Sequence, residues 1–444
     1  MSFFKNIFSG ASESENSGQF EPFVQFGRYT DCNKSKEQIK YWDDSVKFFE
    51  EKKYLDSFEA FFKYIGDSEQ GNVNYKRNSD RIEFDITQGS KIIKGYADST
   101  KVVAETPIAK YEKLSVAFLR SLMNLNYQNF YTRFALKDDL ICMKFNSNLI
   151  DASPNKMYFS LKELATKADK QDDILIAEFS SLKSVETDHL NQISETEKDI
   201  KYKYFIKWIE DAKKRIQELD EDKFSGARSF ILLMLSVKID YLISPEGALL
   251  DELLNAQRIY FAHDEKSGIE KNRDIVEEYT RIISKPKEEI TKDLYNIKST
   301  FAVVAPAHYL DVKDFILNEM ANTSWYASNN YPDIELVILE YINAYCLSNY
   351  GLLKPAINYF HLLMNILNQD YFTELGFKSL YYNKENNQLN QTLIEQKINA
   401  ITNDGKVNFQ KLEFNLTTLD YSSLLKFTYS YLNEITYLDF STEA

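Results

Sequence analysis

Histidines, cysteines and paired carboxylates are the residues through which this chain could do chemistry, and few of them have usable spacing. The four histidines are His189, His263, His308 and His361. None sits in an HExxH pattern and no two have ligand spacing on one helix, so no zinc site is expected. Cys32, Cys142 and Cys346 are far apart, odd in number and outside any CxxC pair. They read as free thiols in a reducing compartment. His308, in Ala305-Pro306-Ala307-His308-Tyr309, stands at an expected helix entrance. It is the candidate general base if the chain is an enzyme with an interdomain site; a capping or core histidine is the simpler reading. Asp138-Asp139 and Asp172-Asp173 are the carboxylate pairs a hydrolase would need. The first falls in a hairpin turn, where Asp bonds its own backbone, and the second at an expected helix end. No GxxxxGK[ST], GxGxxG or GxSxG motif occurs, and thirteen glycines leave little for phosphate-cradling loops. The expectation is therefore no catalytic set, no cofactor and no metal.

The elements that would position any site follow from size and pattern. The chain has 444 residues, 44% of them hydrophobic, enough for two or three cores. A net charge of −14 argues against nucleic acid as a partner. The compact basic run Lys213-Lys214-Arg215 lies beside Glu210, Asp211, Glu218 and Asp220, which reads as a solvated helix face. The apolar run 230–235 is too short to cross a bilayer, and residues 1–18 carry no apolar stretch of signal-peptide length. The chain is expected to be cytoplasmic, without stable membrane insertion.

Residues 1–35 read as a flexible leader, with an apolar cluster at Phe3, Phe4, Ile7 and Phe8. Helical spacing begins at Ser35, through Ile39, Trp42, Val46 and Phe49, then Tyr54, Phe58, Phe61, Phe62 and Ile65; this is one long helix or a helical hairpin. The period then changes to two. Val73 and Tyr75 begin a sheet, Ile82, Phe84 and Ile86 continue it, and strands follow through 92–97 and 102–104 to Pro107, which closes the segment. Leu114, Phe118, Leu122 and Leu125 mark a helix over 110–125. Strands resume over 130–136 and 140–145, and Ser153-Pro154 opens another helix with Met157, Leu161, Leu164 and Ala168 on one face. The fold class is thus an α+β N-terminal domain over 36–182 (helix, antiparallel meander, helix, hairpin, helix) followed by an all-α region over 183–444, as one body or two. Helices are expected near 195–219, 228–243, 247–261, 271–283, 287–298, 311–320, 334–347, 354–368, 389–400 and 421–435, with a small hairpin over 405–416.

The run from Tyr131 through Arg133, Asp138-Asp139 and Phe145, leading into Ser153-Pro154 and a helix through Ala165 and Ala168-Asp169, resembles the YbjN-type branch of the type III secretion chaperone-like fold. The resemblance covers 36–182. It implies a non-enzymatic domain, often dimeric, that binds a partner protein or an extended peptide. Such a domain adds a strand at a sheet edge or lays an apolar side chain into a groove. The candidate edges are 73–77 and 101–106, and the candidate partner-binding residues are Phe48, Phe58, Phe62, Val73 and Tyr75. The expected function is a chaperone-like or adaptor protein tied to a secretion or toxin system. The rivals are a structural subunit of a larger assembly and an enzyme with a site near His308.

Overall fold

Ser35 opens the first helix. Its hydroxyl accepts from the Gln38 N–H, and the Gln38 side chain accepts from the Ser35 N–H, satisfying two backbone donors reciprocally. In the computed structural model, which describes residues 21–28, 32–67, 70–185 and 190–441, helix α1 spans Lys36–Glu50 and α2 spans Tyr54–Ile65. Lys52 turns the chain between them with φ of 60°, so the segment is a hairpin of two helices. Small residues let the helices close: Ser45 Oγ donates to the Ser57 carbonyl and Ser57 Oγ to the Ser45 carbonyl, each at 2.8 Å.

Six strands follow the two-residue period: β1 Val73–Arg77, β2 Arg81–Gly89, β3 Lys91–Asp98, β4 Lys101–Tyr111, β5 Arg133–Lys137 and β6 Leu140–Asn148. They pair antiparallel in the order β1-β2-β3-β4-β6-β5. Helix α3, Val116–Tyr127, lies between β4 and β5 in the chain, and α4, Pro154–Glu178, follows β6. Ile82, Phe84 and Ile86 are buried while Glu83 and Asp85 are exposed, giving one dry and one wet face. This is the α+β architecture expected.

Two strand expectations need correction. Pro107 does not close the sheet: β4 continues to Tyr111, and a register shift between Pro107 and Ala109 absorbs the residue that cannot donate to the ladder. Residues 101–106 are not an edge either, because β4 is held between β3 and β6.

The sheet is fastened to α4 by buried charge. Lys91 Nζ lies 2.7 Å from Asp172 Oδ2 with both side chains almost wholly buried. Ser90 Oγ donates to the same oxygen at 2.8 Å, and the Ser90 N–H donates to Asp169 Oδ1 at 2.7 Å. Gly89 makes this approach feasible: its φ is 53°, and a Cβ there would sit 2.0 Å from Asp169 Oδ1. Desolvation raises the Asp172 pKa, while Lys91 and Ser90 oppose the rise.

The domain boundaries also differ from expectation. The described residues form two units, one of residues 28–192 with 295–304, the other of residues 21–27 with 193–294 and 305–441. Short strands β7 Leu182–Lys183, β8 Asn191–Gln192, β9 Tyr295–Asn296 and β10 Lys298–Ser299 explain the return of 295–304. β10 pairs with β2 at Gln88–Gly89 and β9 with β8. Gln88 Oε1 accepts from the Thr300 and Phe301 N–H groups, and the Phe301 ring is buried. The helix expected over 287–298 stops at Thr291 for this reason: pairing with distant strands outweighs local helical preference.

The helical unit contains α5 Glu195–Gln217, α6 Ser225–Leu242, α7 Gly247–Phe261, α8 Gly268–Ile283, α9 Lys287–Thr291, α10 Tyr309–Ala321, α11 Thr323–Ser328, α12 Pro332–Asn349, α13 Lys354–Leu367, α14 Gln369–Glu374, α15 Gln391–Gly405 and α16 Leu424–Ile435. Most of the expected helices begin and end within a turn of these. α6 and α12 are the inner pair, joined by Lys238 and Glu340 at 2.9 Å. A two-strand pair, β11 Tyr382–Asn383 with β12 Gln388–Leu389, precedes α15. The hairpin expected over 405–416 is absent. The Asn408 and Phe409 N–H groups both donate to the Gly405 carbonyl, and Leu412 folds back so closely that a Cβ on Gly405 would meet it at 2.4 Å. Among the described residues no helix is long and apolar enough to cross a membrane.

The expected leader is corrected where it is described. Residues 21–27 are packed on the helical unit, with Val24 and Phe26 buried and Phe23 outward, the two-residue alternation of an extended segment. Residues 1–20, including the Phe3, Phe4, Ile7 and Phe8 cluster, lie outside the described residues.

Replacing Lys91 alone leaves a buried carboxylate uncompensated. Lys91→Met should lower unfolding free energy in urea by about 3–5 kcal/mol, and Lys91→Met with Asp172→Leu should recover most of the loss.

Candidate protein-binding surface

Helix α3 is apolar on two faces. Phe118 and Leu122 point into the sheet core, with Leu114 and Leu125 packed beside them. Val116, Leu119, Met123 and Tyr127 form the opposite stripe, at spacings of three and four that keep them on one side of the helix. Met123 is 70% exposed and Tyr127 93%. Single exposed apolar residues are ordinary on protein surfaces, but a full helical row of them is not.

The row continues into the loop after α3. Phe130 is 87% exposed and Tyr131 is also outward. Their backbone is held rigidly: Glu163 of α4 accepts from the N–H groups of Phe130, Tyr131 and Thr132 at 2.8, 2.7 and 3.0 Å, and from the Thr132 hydroxyl at 3.0 Å. Burial acts to raise the Glu163 pKa, but these donors and Lys167 outweigh it and hold the carboxyl below its ordinary value. One helical turn from Glu163, Phe159 is exposed as well. Leu136 on β5 shares the sheet face of buried Phe134 and is itself exposed.

β5 is one end of the sheet, yet its edge is partly closed. The Asn126 side chain, from the last turn of α3, accepts from the Phe134 N–H at 2.6 Å and donates to the Phe134 carbonyl at 3.1 Å. It occupies the positions that an added strand would use. The surface is therefore a helix face with an aromatic loop, more than a strand acceptor.

Its charge is unlike that of the chain. Residues 113–137 carry Lys113, Arg120, Arg133 and Lys137 and no acid, in a protein of net charge −14. Lys113 and Arg120 make no ion pair among the described residues. Lys137 pairs with Glu105 at 2.5 Å, so the outward residues combine apolar area with the positive charge of Lys113 and Arg120.

The residues singled out from sequence lie elsewhere. Phe58 and Phe62 are buried against the sheet, and Phe62 stacks on Tyr75 with ring centroids 5.7 Å apart. Their rings hold α2 to the sheet and offer nothing to a partner, which corrects that expectation. Val73 and Tyr75 are half-buried on β1, the other end of the sheet, so residues 73–77 do form an edge. Phe48 is half-buried in a shallow groove with Tyr41, Lys53, Asp56, Glu59, Lys63 and Arg77. Arg77 bonds Asp56 and Glu59 at 2.7 and 2.8 Å, so the charges flanking this edge are already paired.

Among the described residues the candidate catalytic groups do not come together. His308 is exposed at the start of α10 and makes no side-chain cap, so it lacks the enclosed polar cleft that a base near it would need. His263 is exposed too, His361 is buried, and His189 lies outside the described residues. Asp138 occupies its hairpin turn with φ of 55°, and Asp139 pairs with Lys110. Cys32, Cys142 and Cys346 form no disulfide among the described residues; Cys142 and Cys346 are buried and Cys32 is half-buried. Among the described residues no group of three or more His, Cys, Asp or Glu could hold a metal ion.

Comparison with protein-family models and with curated proteins finds no match to this chain.

The outer stripe of α3 was present in the sequence: Val116, Leu119, Met123 and Tyr127 interleave with the inward set. The signal was a helix apolar around most of its circumference, more than one buried face requires. Glu163 supplies a test of the loop's rigidity. Glu163→Ala should speed amide hydrogen exchange at Phe130–Thr132 by about tenfold or more, with α6 unchanged. Because the Glu163 pKa is depressed in the fold, its contribution is present above the unfolded carboxylate pKa. In the unmodified chain the protection of these amides should fall as pH drops through about 4 and below.

Proposed function

We propose that this chain is a non-catalytic protein-binding module, chaperone-like or adaptor in kind, that holds an acidic, amphipathic segment of a partner protein against the outer face of α3. The observation that carries the reading is the exposed row Val116, Leu119, Met123 and Tyr127, extended by Phe130 and Tyr131 on a loop locked by Glu163. Rigid aromatic side chains lose little entropy on binding and supply most of the affinity at such surfaces. Arg120 and Lys113 then select for acid in the partner and speed encounter. The resemblance of 36–182 to the YbjN-type, type III secretion chaperone-like fold supports the same class of function, with a cytoplasmic site of action and a secretion or toxin client as its natural setting.

The exposed histidines and the structural roles of the Asp pairs support a binding role over catalysis. Strand addition at β1 is the lesser route, since Val73 and Tyr75 face their own helix α2 and the neighbouring charges are neutralised.

The test compares the native chain with Leu119→Asp/Met123→Asp. Both substituted positions are exposed, so melting temperature should change by no more than about 2–3 °C. Recovery of specific partners from native lysate, quantified by mass spectrometry, should fall by about thirtyfold or more. Arg120→Glu should weaken the same interactions, and about 0.5 M salt should mimic it. Equal recovery by the native and Leu119→Asp/Met123→Asp chains would remove α3 as the binding surface.

A further inference from the structure

The segment 21–28 is neither helix nor strand, yet it is recognised at each step along its length. The Glu21 carboxylate accepts from the Lys378 N–H at 3.3 Å and the Ser379 hydroxyl at 3.4 Å. Pro22 packs against Gly376, which itself has φ of 97°. Val24 turns inward. Phe26 fills an aromatic socket, with ring centroids 4.9 Å from Phe372, 5.2 Å from His361 and 5.9 Å from Phe377. The Gly27 N–H donates to the Tyr241 carbonyl at 2.8 Å. Gly27 has φ of 61°, and a Cβ there would strike the Tyr241 ring at 2.8 Å, so only glycine fits.

This is how a groove reads a short linear ligand: one carboxylate, one ring in a socket and one backbone hydrogen bond, all within seven residues. The socket's own polar group is settled without the segment, since Tyr241 Oη and His361 Nδ1 are 2.8 Å apart. At the Glu21 end, the fit is incomplete. A cavity of about 30 Å³ remains between Glu21, Asn365, Ser379, Tyr381 and Lys397. Asn365 is buried with no partner for Oδ1. Lys397 makes no ion pair among the described residues; burial lowers its pKa and Glu21 opposes that. The unfilled space beside the Asn365 carbonyl and the Lys397 ammonium leaves room at this end for a longer or more polar head group.

We propose that residues 21–27 occupy a peptide-binding groove of the helical unit as an exchangeable ligand in cis. The groove's ligand class is an extended segment with an acidic residue before proline and a phenylalanine–glycine pair beginning four residues after the proline. This inference rests on the helical unit alone and is independent of the α3 surface.

The direct test uses a chain lacking residues 1–28 and a fluorescein-labelled synthetic peptide of residues 21–28. Saturable binding by anisotropy, weakened by about tenfold or more when the peptide carries Phe26→Ala, is the expected result. A truncated chain that keeps its helical circular dichroism and cooperative melting but takes up no peptide would overturn the proposal. If truncation abolishes folding, a protease site inserted after Arg28 in the full chain replaces it. After cleavage, excess peptide should displace the N-terminal fragment on size exclusion. Retention of the fragment against excess peptide, or its loss without peptide uptake, would equally overturn the proposal.

Discussion

Three carboxylates on one helix hold the α+β unit together. Asp172 and Asp169 of α4 take the charge and the backbone of the β2–β3 turn, and Glu163 takes the backbone of the loop between α3 and β5. Apolar packing alone would let α4 slide or rotate on the sheet, because hydrophobic contact is not directional. Buried carboxylates with fixed donors are directional, and leaving one unpaired in the dry interior is costly. They therefore set the register of α4, and through it the placement of the loop that displays Phe130 and Tyr131.

Much of this was legible before the structure. Apolar spacing placed a helix start at Ser35, capping chemistry placed one at Ser153, and alternation at Ile82, Phe84 and Ile86 placed the meander. What escaped depends on distant partners. The end of α9 at Thr291 follows from strands that pair with β8 and β2, about a hundred and two hundred residues earlier; no local pattern encodes that. Pro107 remains in a strand because a neighbouring bulge accommodates it, and a bulge is a property of the pair of strands. The packing of 21–28 was hidden in the same way: Val24 and Phe26 alternate, but a short polar-flanked stretch looks like a tail until its socket exists.

The candidate site was half legible. Aromatic residues in α1 and α2 invited a binding role, yet Phe58 and Phe62 are the rings that close the core. Their number was the misleading feature, since a helix hairpin that covers a sheet needs large side chains on its inner face. α3 carried the better signal, two interleaved apolar stripes separated by about half a turn. One stripe is explained by the sheet; the other has no partner within the described part of its own unit.

The central claim is that this second stripe is a protein-binding surface. Site-specific incorporation of the photo-crosslinking residue p-benzoylphenylalanine in living cells tests it most directly. With the probe at Met123 or Tyr127, a discrete adduct should form, and its mass will show whether the partner is another protein or a second copy of this chain; with the probe at Glu83, on the open face of the sheet, none should. Adducts at Glu83 but none at Met123 or Tyr127 would contradict the account.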